Sequence, residues 1–195
     1  AACVTEAEIR AEYADLFEGI GLLEGEVHLV IDQTVPPVQM PLRRLPIGVR
    51  DKVAAELQRL EANGIIAPVA EPTPWVSALL VVAKPDGRIR LVIDPKHLNV
   101  GLQRAKYCLP TITDILPRLA GAKVFSSVDA RDGFFHLMLD EESSRLTTFE
   151  TPFGRWRWLR MPNGIRPAPE IFQERMHAAL SGLKGIECIA DDILI

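Results

Sequence analysis

At 195 residues, with 48% apolar and 25% charged side chains, the chain has the composition of a globular domain and enough length to bury a core without covalent staples. Its three cysteines, Cys3, Cys108 and Cys188, stand far apart with no CxxC pair, which argues against a zinc ribbon or disulfide scaffold and for a reducing compartment. The net charge of −4 hides an uneven spread: residues 1–39 carry eight acidic and one basic side chain, residues 40–110 six and eleven, and residues 111–195 twelve and ten.

Residues 6–18 (EAEIRAEYADLFE) set Ile9, Tyr13, Leu16 and Phe17 at helical spacing, predicting a short amphipathic helix. Residues 27–31 read as a strand. The stretch from Val35 to Pro46, with Pro36, Pro37, Pro41 and Pro46, reads as a stiff extended connector. Residues 47–63 predict the strongest helix: Val49, Val53, Leu57 and Leu60 line one face, and Asn63-Gly64 ends it. Strands at 75–83 and 88–94 flank Lys84-Pro85-Asp86-Gly87, a turn in which proline presets φ and glycine accepts a positive φ. The longest clean apolar run, Val76 to Ala83, is far short of the ~20 residues of a membrane span, and no basic-then-apolar signal opens the chain. A short helix fits 111–119 and a strand fits 123–130, while 134–139 is open between helix and strand. Residues 145–150 and 153–160 read as a hairpin over Thr151-Pro152, 167–181 as a helix opened by proline, and 186–190 as a strand entering a last turn. Strands and helices mix without strict βαβ alternation, which predicts an α+β fold. The chain opens on Ala1 and stops inside its final strand, so it reads as a piece cut from something longer.

Three carboxylates carry the candidate chemistry. Asp129 ends the strand KVFSSVD, and Asp191 and Asp192 sit at the tip of a hairpin between IECIA and ILI. Strand-borne carboxylates suit Mg²⁺, a hard cation that wants oxygen ligands, and two such ions can activate a hydroxyl and steady a leaving group in phosphoryl transfer. An Asp-Asp pair at a hairpin tip is also ordinary turn chemistry. Lys84, Arg88 and Arg90 flank the Pro-Asp-Gly turn and could clamp a triphosphate; equally, they could guard an edge strand. The segment RWRWLR is a two-faced strand on the plain reading and a nucleic-acid stacking face on the other. Met161-Pro162-Asn163-Gly164 is a tight loop before a helix, suited to close backbone approach to a ligand. His28, His97, His136 and His177 show no metal-ligand spacing.

In order along the chain, five blocks carry a family likeness: LQRLEANGIIAPV, then WVSALLVVAKPDGRIRLVIDPKHLN, then LPTITDILPRLAGAKVFSSVDARDGFFHLMLDEESSRLTTFETPFGRWRWLRMPNGI, then APEIFQERM, and last IADDILI. From Pro36 to Ile195 the chain resembles the reverse transcriptase of gypsy-type (Metaviridae) long-terminal-repeat retrotransposons. The resemblance implies a right-hand polymerase with a mainly antiparallel palm sheet backed by helices, ending before the thumb. Residues 1–39 would be an acidic linker, 40–122 the fingers and start of the palm, and 123–195 an incomplete palm. It implies catalytic roles for Asp129, Asp191 and Asp192. Asp129 and Asp191 would be the principal metal ligands, with the Ala130 carbonyl assisting and Asp192 beside them. It places Lys84, Arg90, Phe134, Asn163 and Gly164 at the deoxynucleotide, with the Phe134 ring barring a ribose 2′-OH. The cofactor would be two Mg²⁺ ions, with Mn²⁺ a substitute. The partners would be deoxynucleotides and an RNA or DNA template with primer, without a membrane.

Two departures from the family pattern are Ile189, where the family has Tyr, and Asn163, where it has Phe or Gln. The implied activity is RNA-directed DNA polymerisation from a retrotransposon polyprotein, in the cytoplasm (in virus-like particles) with nuclear access. This segment alone would be weak or inactive. The alternatives are an inactive relic or repurposed fragment that binds nucleic acid, and a nucleotidyl cyclase, against which the fingers block and the MPNGI loop speak.

Overall fold

The computed structural model describes residues 5–195, so Cys3 lies outside the described residues. Helix α1 (Glu6–Glu12) starts at a capping box, in which Thr5 Oγ1 accepts the Glu8 N–H and the Glu8 carboxylate accepts the Thr5 N–H. A 3-10 turn (Ala14–Phe17) follows. The apolar stripe expected here is present but faces solvent, with the Arg10 guanidinium 4.8 Å over the Phe17 ring. Strand β1 (Glu26–Val27) is shorter than the 27–31 pattern. Only its two residues find ladder partners, Met138 and Leu139, while Ile31 makes a lone bridge to Leu102. The later part of the acidic stretch is nonetheless docked: Val27 and Leu29 enter the main core, and Arg175 donates to the Glu24 and Glu26 carbonyls.

Beyond the extended proline-rich stretch, α2 (Ile47–Ala62) buries Val53, Leu57 and Leu60, as their spacing requires. It ends where Asn63 Nδ2 donates to the Arg59 carbonyl and Gly64 takes φ +64°. This helix packs on a five-stranded sheet made of β2 (Ile66–Pro68), β3 (Ser77–Ala83), β4 (Ile89–Asp94), β7 (Phe149–Thr151) and β8 (Gly154–Trp158). The strand order is β2-β8-β7-β3-β4, antiparallel throughout except between β3 and β7. The β3–β4 turn is Lys84 to Gly87, with Gly87 at φ +80°. The alternation in β8 is sheet chemistry. Trp158 is buried and stacked on Phe135, with ring centroids 5.6 Å apart, while Arg155 pairs with Glu150 and Arg157 with Glu141.

The expected strand at 145–150 begins only at Phe149. Arg145 and Leu146 belong to α5 (Glu141–Leu146), which Asp140 caps by accepting the Ser143 N–H. The open stretch 134–139 divides into a 3-10 turn (Gly133–His136) and strand β6 (Met138–Leu139). Helix α3 (Lys96–Gly101) follows β4, and α4 (Ile112–Ile115) with a 3-10 turn (Leu116–Leu119) occupies the helix expected at 111–119.

A second sheet has three strands in the order β5 (Ser127–Asp129), β10 (Asp192–Leu194), β9 (Glu187–Ile189), all antiparallel. Strand β5 is shorter than the 123–130 expectation; it is an edge strand, and its pairing begins at Ser126 opposite Ile195. Helix α6 (Ala168–Ala179), entered through Pro167, backs this sheet and buries Phe172, Gln173 and Met176. The result is the mainly antiparallel α+β architecture that the sequence predicts. Among the described residues no helix is long and apolar enough to cross a membrane.

Candidate functional site

The three aspartates meet on the small sheet. Asp129 ends β5 and stands directly opposite Asp192, the first residue of β10. The ladder bonds on either side involve Ser126 with Ile195 and Ala130 with Asp191, which makes Asp129–Asp192 a non-hydrogen-bonded pair, the kind whose side chains lie closest. Like charges so placed repel. Asp191 lies in the two-residue turn Ala190-Asp191. Its Oδ1 is buried without a hydrogen-bond partner, and Gly133 lies so close that a Cβ there would be 2.1 Å from that oxygen. Burial, with Asp129 and Asp192 alongside, pushes the Asp191 carboxyl above the usual carboxylate range.

A cavity of about 250 Å³ opens at this point, lined by Asp129, Ala130, Asp191, Arg90, Phe134 and Asn163, with Asp132, Gly133 and Phe135 completing the wall. It adjoins a cleft of about 800 Å³ that shares Arg90, Asp129, Asp132 and Phe135 and adds Lys52, Arg59, Lys84, Arg88 and Arg131. Glu56 also lines the cleft, but cations outnumber carboxylates there while carboxylates outnumber Arg90 in the smaller cavity, a combination that suits a ligand carrying phosphates next to a bound cation. Phe134 is held edge-on by Phe172, with centroids 5.5 Å apart. The loop from Met161 is pinned by Asn99, whose Nδ2 donates to the Gly164 carbonyl while its Oδ1 accepts the Arg166 N–H.

Six of the nine residues singled out from sequence thus share the smaller cavity. Lys84 lines only the adjoining cleft. Gly164 lies outside both linings, at φ +94° against Pro95, and Asp192 is exposed and likewise outside them. Sequence reasoning missed Asp132 and Gly133. Asp132 takes a left-handed φ of +54°, lines both spaces and stands 3.9 Å from Arg90. An Asp-Gly step just after Asp129 was the visible signal. Asn99 carried no local signal at all, because its partners lie more than 60 residues away.

A divalent cation fits the residues present. An orphaned, buried carboxylate oxygen beside a second carboxylate is what such an ion satisfies. Among the described residues no three Asp, Glu, His or Cys side chains converge into a closed cage. Mg²⁺ needs none when one or two carboxylates share it with substrate phosphates and water.

The arrangement of the two sheets is that of the fingers and palm of a right-hand polymerase. The whole chain superposes on the foamy viral protease-reverse transcriptase solved in complex with an RNA/DNA hybrid, with TM-score 0.84 and 21% identity, covering 100% of this chain and 27% of that one. Residues 82–195 match the reverse transcriptase (RNA-dependent DNA polymerase) family, and the chain belongs to it. It is 34% identical over 202 residues to the retrovirus-related Pol polyprotein from transposon 412 of Drosophila melanogaster, covering 96% of this chain and 16% of that protein. It is 34% identical over 195 residues to an uncharacterized Caenorhabditis elegans protein, covering 97% of this chain and 15% of the relative. The chain therefore spans about a sixth of the length of these curated relatives.

Proposed function

We propose that this chain forms the fingers and palm of an RNA-directed DNA polymerase that adds deoxynucleotides to a primer 3′-OH, in a retrotransposon polyprotein of gypsy type. The observation that carries the reading is the Asp191 carboxylate, whose Oδ1 is buried against Gly133 without a partner, lining one cavity with Asp129, a cavity that continues into a basic cleft. Asp129 and Asp191 would hold Mg²⁺, or Mn²⁺ in its place, with the Ala130 carbonyl alongside and Asp192 set opposite Asp129. Two such ions, when bound, supply the charge that lowers the pKa of the primer hydroxyl and offsets the charge building on the leaving pyrophosphate. Arg90 and Lys84 orient the triphosphate, Arg as a planar fork and Lys as a point charge. The Phe134 ring, stiffened by Phe172, closes the space a ribose 2′-OH would need. Asn163, on the loop that Asn99 pins, packs on the incoming nucleotide, with Gly164 next to it. The template strand and its primer run along the cleft, where phosphate contacts make binding salt-dependent.

The decisive experiment is primer extension on an RNA template by the reverse transcriptase that carries this segment. Asp191→Asn should abolish extension and leave template binding within about threefold, since the amide keeps the shape and loses the charge; near-normal extension by that variant overturns the reading. Ile189 and Asn163 depart from the family pattern at the primer contact and the nucleotide-packing loop while all three carboxylates remain, and the alternative is a nucleic-acid-binding relic without catalysis. Salt-dependent template binding with no extension by the unsubstituted protein would select it.

A further inference from the structure

The Ala190-Asp191 turn is strained, and one buried side chain holds it. Ala190 sits at φ +51°, a conformation that alanine keeps only when its surroundings impose it. The two-residue hairpin turn requires it, and Gln173, 0% exposed on α6, braces the turn from inside: its Oε1 accepts the Ala190 N–H at 2.7 Å, and its Nε2 donates to the Cys188 carbonyl at 2.9 Å. One amide thus spans the strand end and the tip of the turn. Its own orientation is set from behind, where Nε2 also meets His177 Nε2 at 2.9 Å, and His177 Nδ1 meets the Tyr107 hydroxyl at 2.6 Å. With its Nε2 accepting, the imidazole carries its proton on Nδ1 and donates to Tyr107, so the amide cannot flip without losing bonds on both sides.

We propose that Gln173 is a positioning residue for Asp191, acting through the backbone of the β9–β10 turn, with His177 and Tyr107 fixing the amide. The proposal rests on the reading of Asp191 as a cation ligand. Asp191 and Gly133 are in close approach, so a turn that relaxed by even a fraction of an ångström would re-aim the carboxylate. An α6 glutamine that touches neither cation nor nucleotide would in this way decide how well the cation is held.

The test uses this chain, with Mn²⁺ as the probe. Gln173→Met keeps the side-chain volume and removes both ends of the clamp. The Ala190 amide should exchange with solvent at least ~10-fold faster, while Ile93 in β4 keeps its rate. Mn²⁺ affinity, read by electron paramagnetic resonance, should fall ~10-fold, the usual consequence of removing support from behind a ligand. Val53→Ala, a cavity made in α2 on the other sheet, controls for general destabilisation: it should lower the melting midpoint and leave Mn²⁺ affinity unchanged. If Gln173→Met does not fold, Gln173→Asn, which keeps the amide but withdraws it by one methylene, is read in the same way. Wild-type Ala190 exchange in the folded variant overturns the clamp. Faster exchange with unchanged Mn²⁺ affinity makes Gln173 a purely structural residue and overturns the proposal as well. Failure of the wild-type chain to bind Mn²⁺ overturns the cation-site reading instead, and Ala190 exchange then still decides whether the clamp exists.

Discussion

Every strand of the five-stranded sheet carries at least one buried side chain, among them Ile66, Leu79, Ile93, Phe149 and Trp158. In the three-stranded sheet, β5 and β10 bury none of theirs, and Cys188 is the only buried residue of β9. The larger sheet is held by packing against α2. The smaller one is held by a short ladder, by α6 behind it, and by single polar contacts such as that of Arg118 with Glu187. Like charges opposite one another and an alanine at positive φ sit on the smaller sheet, where they cost stability. The packed core and the candidate cation-binding carboxylates thus occupy different sheets, as expected when a site must leave carboxylates uncompensated for a ligand to complete.

The largest effect that tests this contrast is Phe149→Ala. The ring is fully buried and meets Trp158 with centroids 5.7 Å apart. Its loss should cost about 3–5 kcal/mol of global stability in denaturant titration; a cost under about 1 kcal/mol would show that the larger sheet is not the stabilising one. Gly133→Ala comes next and acts on the smaller sheet. A Cβ there would meet Asp191 Oδ1 at 2.1 Å and the Phe172 ring at 2.9 Å. Overpacking should cost about 1–3 kcal/mol, yet Mn²⁺ binding should vanish while Ile93 stays protected from exchange. Ala190→Gly should act in the opposite sense, relieving the left-handed strain and raising stability by roughly 0.5–1 kcal/mol once glycine's extra freedom in the unfolded chain is deducted.

The smallest effect depends on pH. His28 Nδ1 lies 2.6 Å from Asp140, and that hydrogen bond, with the Asp140 charge, raises the His28 pKa above 6.5. Protonated His28 is the form favoured by folding, so its contribution is complete below about pH 6.5 and fades as pH rises through the folded value. Burial opposes ionisation of Asp140, but its bonds from Ser143 and His28 outweigh that and hold its pKa below 3.8, so the pair survives mild acid. The difference in urea midpoint between wild type and His28→Gln should be wider near pH 5.5 than near pH 8.5. Because half of the His28 side chain is exposed, the difference should stay small.

Features that depend on neighbours in the chain were legible in the sequence. The α2 face, the Lys84–Gly87 turn, the proline entry to α6 and the strand–turn–strand around Asp191 each follow from spacing or from residue-specific φ preference. So did the ordered motif blocks, and with them the family. Features that depend on distant partners were not legible. Arg145 and Leu146 look like strand residues, yet Asp140 caps them into a helix; Lys123 to Ala130 looks like a long strand, yet only its end finds a ladder. By spacing alone the three aspartates look alike, and only the family resemblance sets Asp129 and Asp191 apart; in the structure those two line one cavity, with Gly133 and Phe172 packed beside Asp191, and Asp192 lies outside it. Side-chain type and short-range spacing determine which chemistry is available. Which groups lose water, and so which carboxylate is left uncompensated, is decided only when segments 40 to 60 residues apart in sequence close around it, because desolvation is a property of the packed whole.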